Sequence, residues 1–397
     1  MFEVQVLRET LLAALNAVES TVGDNSQNLG CDCVSITDLG NNTLEIYTTN
    51  SIEFSKVNII VIMGSSKTVE QMPYVNFKRF KNIINSVDEN EYISIKSIVN
   101  DIEITYGTRK KPIKLTGSTN SMISIVNNFN NVTSSITLPK HVLKDALAGT
   151  CSIIKDGKSP SINDCMDIDY DKNDITITSI DVTSNRIYCY KTEAVDIQNG
   201  HVTVEANKLK KAFKLFEPYN LVKIETNGNL IKISGDDPIN KKDSLFESAE
   251  YYLRQIAGSF PQNLTSYMEP DKAQSAIIDN KSFIASLERV KAIEDTTTNP
   301  GCVNINIFND VINITKSTQY GILEDSFGVT NTFNVPINVT FNVSNLFDIV
   351  KNFDNGNFYL ANPSKMSATS GYLLYSEKDL KSVYFVSEVA KQQQSNP

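Results

Sequence analysis

The run Asn207-Lys208-Leu209-Lys210-Lys211-Ala212-Phe213-Lys214-Leu215-Phe216-Glu217 decides how the rest of the chain is read. Leu209, Ala212, Phe213 and Phe216 stand at offsets 0, 3, 4 and 7, the spacing that gathers side chains on one face of an α-helix. Lys210, Lys214, Lys211 and Lys208 fall roughly 100° to 260° around the wheel from Leu209. The segment is therefore a helix with an apolar stripe for a sheet and a basic face turned away from it.

The same layout occurs twice more. Phe80/Ile83/Ile84/Val87 and Leu346/Ile349/Val350/Phe353 repeat the stripe, and Lys78, Arg79 and Lys81 repeat the basic face around Phe80. A second trio has the same offsets: Leu11/Ala14/Leu15/Val18, Leu143/Ala146/Leu147/Thr150 and Phe283/Ser286/Leu287/Val290. Both families advance along the chain by nearly one period, roughly 130–140 residues.

Alternating strands keep the same time. Leu44–Thr48, Ile175–Ser179 and Ile312–Thr315 switch between apolar and polar residues, as half-buried strands do. Further strands follow each helix of the first trio, and turn residues such as Asn227-Gly228, Asn355-Gly356 and Asn41-Asn42 punctuate the strands along the chain. The reading is an α+β protein of three repeated domains, 1–133, 134–268 and 269–397, each with two helices packed on antiparallel sheets and each internally doubled. The last domain ends in a short polar tail.

The charge distribution follows the repeat. The whole chain carries 37 basic and 46 acidic residues, a net charge of −9. The six helical segments carry 14 basic and 6 acidic residues, so the helices are positive and everything else is negative. Helix faces normally mix both signs through i,i+4 pairs. A shared basic face suits a polyanion with regularly spaced phosphates, contacted without reading bases.

Composition removes other classes. Hydrophobic residues make up 41% and charged residues 21%, the balance of a globular protein rather than a disordered one. The opening Met1-Phe2-Glu3-Val4 lacks the basic and apolar run of a secretory signal, and no stretch reaches the length of a membrane span, so the expected location is cytoplasmic. The six cysteines are irregularly spaced and form no zinc pattern; they are expected to be reduced, buried thiols. Only two histidines are present, and no phosphate loop, nucleophile elbow or HExxH motif occurs. No catalytic residue, metal or cofactor is expected, and the chain is read as not an enzyme.

At this point the sequence resembles the bacterial beta sliding clamp, the processivity subunit of DNA polymerase III. The resemblance runs from Glu9-Thr10-Leu11-Leu12 to Tyr384-Phe385-Val386. Its more specific pieces are Gln255-Ile256-Ala257-Gly258-Ser259-Phe260-Pro261, Phe341–Val350, and Asp181 followed by Arg186-Ile187. The resemblance implies a head-to-tail homodimer closing a ring of six domains around duplex DNA, with the helices lining the hole. It also implies tethering of a replicative polymerase and a clamp loader through a short peptide motif, with no membrane partner.

By the same resemblance, the DNA face comprises Lys78, Arg79 and Lys81, Lys144, Lys208, Lys211 and Lys214, and Arg289 and Lys291. Lys155 and Lys158 match a loop that also approaches DNA. The peptide pocket maps to Arg186, Ile187 and Pro261 and to the run Phe385, Val386, Ser387, Glu388 and Val389. Ile113, Leu115, Ala292 and Ile293 match the contact between subunits.

Two departures flank the pocket. Four residues, Val182–Asn185, separate Asp181 from Arg186 where the family usually has two, and Ser387-Glu388-Val389-Ala390 replaces an apolar-Pro-Met-Arg-like ending. A clamp belonging to a phage or mobile element and tuned to its own polymerase would carry such changes. The alternative is a divergent clamp-like protein whose altered pocket lets it compete with or modulate a host clamp.

Overall fold

The computed structural model describes residues 2–24, 30–64, 69–108, 111–118, 126–154, 161–171, 174–193, 200–239, 246–256, 258–261, 264–293, 301–353, 356–365, 371–377 and 381–389. The polar tail lies outside them.

The six expected helices are α1 (Arg8–Val18), α2 (Phe77–Asn85), α3 (Lys140–Ile153), α4 (Ala206–Ala212), α5 (Asn280–Ala292) and α6 (Val343–Val350). Every stripe position named above is buried except Ile83, which is half-buried. Three starts are fixed by side-chain caps: Asn76 accepts from the Arg79 N–H, Asp279 from Ser282 and Asn342 from Asn345. The helix expected over 207–217 tightens to a 3₁₀ turn at Phe213–Phe216. Glu217, the residue before Pro218, keeps helical backbone at φ −53° and ψ −38°, so the helical path runs up to the proline although the α-helix proper stops at Ala212.

The chain divides into two compact units. The first holds residues 1–143, 195–200 and 208–255; the second holds 144–194, 201–207 and 256–397. Strands pair across the boundaries expected from the sequence repeat, so parts of 134–268 belong to each unit.

In the first unit a nine-stranded antiparallel sheet runs through Ser134–Pro139, Tyr219–Thr226, Leu230–Pro238, Ser248–Arg254, Glu53–Ile60, Thr43–Thr49 and Cys33–Asp38, with two short strands at its end. Its seam is the pairing of Ser248–Arg254 with Glu53–Ile60, Tyr251 opposite Ser55. One face of this sheet carries a ladder of alternating charge. Lys56 lies 3.5 Å from Glu45 and 2.9 Å from Glu250, and Lys232 lies 3.0 Å from Glu250 and 4.0 Å from Glu225. A four-stranded sheet, Glu3–Leu7, Tyr92–Ile98, Asp101–Tyr106 and Ile113–Thr116, completes the unit with α1 and α2.

The second unit has the same inventory. Its nine-stranded sheet includes, in order, Gly200–Glu205, Cys165–Asp171, Asp174–Asp181, Arg186–Glu193, Ser382–Ser387, Gly371–Ser376, Asn357–Pro363 and Pro270–Asp279. The seam here is Arg186–Glu193 against Ser382–Ser387, with Ile187 opposite Phe385. The four-stranded sheet runs Gly321–Gly328, Val311–Thr318, Cys302–Phe308 and Ile337–Asn342. Helices α5 and α6 pack together in this unit, with rings of Phe283 and Phe358 5.2 Å apart in the core below them.

Candidate functional site

The basic helix residues divide by how their charge is held. In the first unit Lys78 and Arg79 on α2 and Lys211 and Lys214 on α4 and its final turn are exposed. Lys81 is drawn to Glu19, 2.7 Å away, and Lys208 lies 3.4 Å from Glu53. In the second unit Lys144 on α3 is exposed. Arg289 on α5 pairs with Asp325, which also accepts a 2.6 Å hydrogen bond from Ser286. Lys291 sits 4.2 Å over the Phe347 ring. Lys155 and Lys158 lie outside the described residues. Lys210, part of the basic face read from the wheel but not of the DNA-face set carried over by resemblance, is exposed on α4 beside Lys211; sequence reasoning had no means of seeing the acidic partners supplied by distant segments.

The expected pocket residues lie on both faces of the second unit's large sheet, because consecutive strand residues point to opposite sides. Arg186 and Tyr188 face the helices. Arg186 is 1% exposed; it donates to the carbonyls of Ser152 and Ile153, at 3.2 and 2.5 Å, and to Asp181 at 2.8 Å. Those carbonyls end α3, so the guanidinium caps the helix C-terminus. Tyr188 packs so closely on α3 that a Cβ added at Gly149 would lie 2.2 Å from its ring. Val386, opposite Arg186, is buried on the same face.

Ile187 and Phe385 point the other way. They join an apolar cluster with Cys189, Met268, Leu373 and Val383. Burial pushes the Cys189 thiol up to about 11, so it is an inert packing group there. Pro261, Ser387, Glu388 and Val389 are exposed or half-buried, and the Val389 N–H donates to the Thr340 carbonyl at 2.8 Å. In the subunit-contact set, Ile113 and Leu115 lie half-buried on the last strand of the first unit's small sheet. Ala292, exposed, and Ile293, half-buried, end α5 in the second unit.

The long connection before Arg186 is a closed turn. The Asp181 carboxylate accepts from the Thr183 and Ser184 N–H groups at 3.0 and 3.2 Å, and Asn185 takes a left-handed backbone, φ 47°. Ser387 then donates its N–H to the Asn185 carbonyl at 3.3 Å. Burial alone would raise Asp181, but the hydrogen bonds from Arg186 and Ser184 outweigh it and hold the carboxyl below its ordinary value.

Further along the second face a cavity of about 380 Å³ opens beside Pro261. Asp167, Asp169, Thr176, Thr178 and His201 supply polar lining, and Phe260 and Leu264 supply apolar lining. His201 Nε2 is 2.5 Å from Asp167 Oδ1, which also accepts from the Thr203 hydroxyl at 2.9 Å. The hydrogen bond to Asp167 raises His201 above its ordinary value, against the opposing effect of burial. Sequence reasoning missed this group; its one signal was that His201 is one of only two histidines. Among the described residues, no group of three or more His, Cys, Asp and Glu side chains could hold a metal ion, and no helix is long and apolar enough to cross a membrane.

No protein-family model matches the sequence, and no curated protein matches it. Solved structures do match. The DNA polymerase III beta sliding clamp of Pseudomonas aeruginosa bound to griselimycin aligns with a TM-score of 0.83 at 13% identity, over 98% of this chain and 99% of that one. The beta subunit of Thermotoga maritima aligns with a TM-score of 0.81 at 12% identity, over the same shares of the two chains. The sliding clamp of Bacillus subtilis gives 0.79 at 14%, again over 98% and 99%. The chain has the fold of the DNA polymerase III beta sliding clamps, an α+β arrangement of helices on antiparallel sheets.

Proposed function

We propose that the chain is a DNA sliding clamp, a non-enzymatic processivity factor. In this reading two copies of the three repeats, 1–133, 134–268 and 269–397, close head to tail into a ring around duplex DNA and tether a replicative polymerase. The observation that carries the reading is the match of nearly the whole chain to clamp structures at TM-scores near 0.8. The charge pattern supports it: Lys78, Arg79, Lys144, Lys211 and Lys214 are exposed on helices of a chain that is acidic overall. Such contacts hold a duplex by its phosphates and let it slide.

Subunit closure is supported by two sheet edges. The first unit's small sheet ends in Ile113–Thr116 and the second's in Gly321–Gly328. Exposed Lys114 on one edge and Glu324 on the other carry opposite charges. Pairing of unlike edges is the heterologous contact that forms a ring when the rotation closes. For tethering, Ile187, Phe385 and Pro261 offer the apolar anchor, and Arg186 fixes the strand and turn beside them.

The second reading, a clamp-like protein with altered peptide specificity, draws on the closed Val182–Asn185 turn and the changed Ser387–Ala390 ending. Light scattering across a dilution series, followed by retention on nicked circular and linearised DNA, tests the proposal. A dimer retained on circles and lost from linear DNA is expected. A concentration-independent monomer leaving both DNAs equally fast would refute the closed ring. A retained dimer that ignores the peptides of its polymerase would favour the second reading.

A further inference from the structure

The cavity beside Pro261 and the apolar cluster around Ile187 belong to one sheet face. Cross-strand neighbours share a face, and Thr178 stands opposite both Asp167 and Cys189. Cys189 in turn stands opposite Val383. One row of the sheet thus passes from the carboxylate through a threonine into the apolar cluster. In the next row Asp169 lies opposite Thr176.

The chemistry of the cavity is anionic. Asp167 spends Oδ1 on His201 and Thr203, which leaves Oδ2 outside both bonds. Asp169 is exposed at the rim. Two carboxylates against one imidazole, with threonine hydroxyls and the apolar Phe260 and Leu264 in the same lining, would hold a long aliphatic stem ending in a cation.

We propose that this cavity takes a lysine or arginine side chain of the same tethering peptide whose apolar residues would rest on the Ile187–Phe385 cluster. The proposal rests on the tethering reading and adds a charge requirement to it. It makes Asp169 and Asp167 specificity-determining residues, with His201 and Thr203 fixing the Asp167 carboxylate.

Fluorescence anisotropy with the full chain tests it. The probes are fluorescein-labelled peptides that share one leucine–x–phenylalanine core, with a lysine placed at each flanking position in turn, and matched norleucine and glutamate versions. At one position the lysine peptide should bind about fivefold tighter than its norleucine match, the scale of a partly exposed ion pair. Asp169→Asn should erase that advantage without weakening the norleucine peptide, and Asp169→Lys should transfer it to the glutamate peptide. Asp169 is exposed, so neither variant threatens the fold, and thermal melting checks this. Equal binding of all three versions at every position would overturn the proposal and leave tethering intact. A lysine advantage that persists in Asp169→Asn would make it an effect of the overall negative charge and overturn the assignment to the cavity. Absence of binding by every peptide would overturn both readings.

Discussion

Arg186→Met should be among the most destabilising single changes in the second unit. The substitution keeps an unbranched stem but removes a charge that is 1% exposed and bonded to Asp181, Ser152 and Ile153. The Asp181 side chain, 10% exposed, is left with the Thr183 N–H and the Ser184 N–H and hydroxyl. Breaking a buried pair from one side costs about 3–5 kcal/mol, mostly the desolvation of the abandoned charge. Asp181→Asn in the Arg186→Met background removes that charge, so the double variant should regain about 2 kcal/mol of the loss. The chain has no tryptophan, so urea unfolding is best followed by far-ultraviolet circular dichroism, with hydrogen exchange across α3 reporting the capped end. The gap should also depend on pH. Asp181 is held below its ordinary value, so its pairing stabilises above about pH 3.8 and fades as pH falls through the lower folded value. A loss under 1 kcal/mol at neutral pH, or a double variant as unstable as the single, would refute the buried-pair reasoning.

Other expectations follow from the same packing and charge. Gly149→Ala would place a methyl 2.2 Å from the fully buried Tyr188 ring. It should destabilise by about 1–2 kcal/mol, net of the helix-propensity gain, and Tyr188→Ala should turn the same change favourable in a thermal-melt cycle. Glu250→Gln removes the anion between Lys56 and Lys232 and should cost about 1–2 kcal/mol in urea unfolding. Burial opposes the Glu250 charge, but the two lysines lower its value, so this stabilisation holds above about pH 4.5 and is lost as pH falls. His201 titrates above its ordinary 6.5, so its pairing stabilises fully below that pH and is lost as pH rises through the folded value; NMR should show Asp167→Asn moving the midpoint down. Replacing Lys78, Arg79, Lys211 and Lys214 by alanine should leave melting nearly unchanged, while each loss of a phosphate contact lowers the salt slope of DNA binding by about 0.9.

The helices were legible in the sequence because their stripes recur at one period, and burial of Leu209, Ala212, Phe213 and Phe216 follows that spacing. The sheet seams were not. Nothing local to Ser248–Arg254 says that its neighbour is Glu53–Ile60, since strand alternation gives a face and no partner. Proximity in sequence also grouped Arg186 with Ile187, although the pleat sends one to the helix layer and the other to the opposite side. Charge was legible as a sum and not as pairs: Lys81, Lys208 and Arg289 meet Glu19, Glu53 and Asp325 only once the chain is folded. His201 and Asp167 are 34 residues apart, and no motif connects them.

The seams also decide what can be cut out of this protein. A fragment spanning 134–268 would be freed with Ser248–Arg254 stripped of Glu53–Ile60 and Arg186–Glu193 stripped of Ser382–Ser387. Each would become a raw edge of unmatched amide and carbonyl groups, one on each of two sheets. An edge of that kind recruits whatever strand it meets, most readily another copy of itself. The segment 134–268 is therefore a linker of neighbours rather than a portable module, and expression of its excised form should yield insoluble material where the intact chain yields a soluble one.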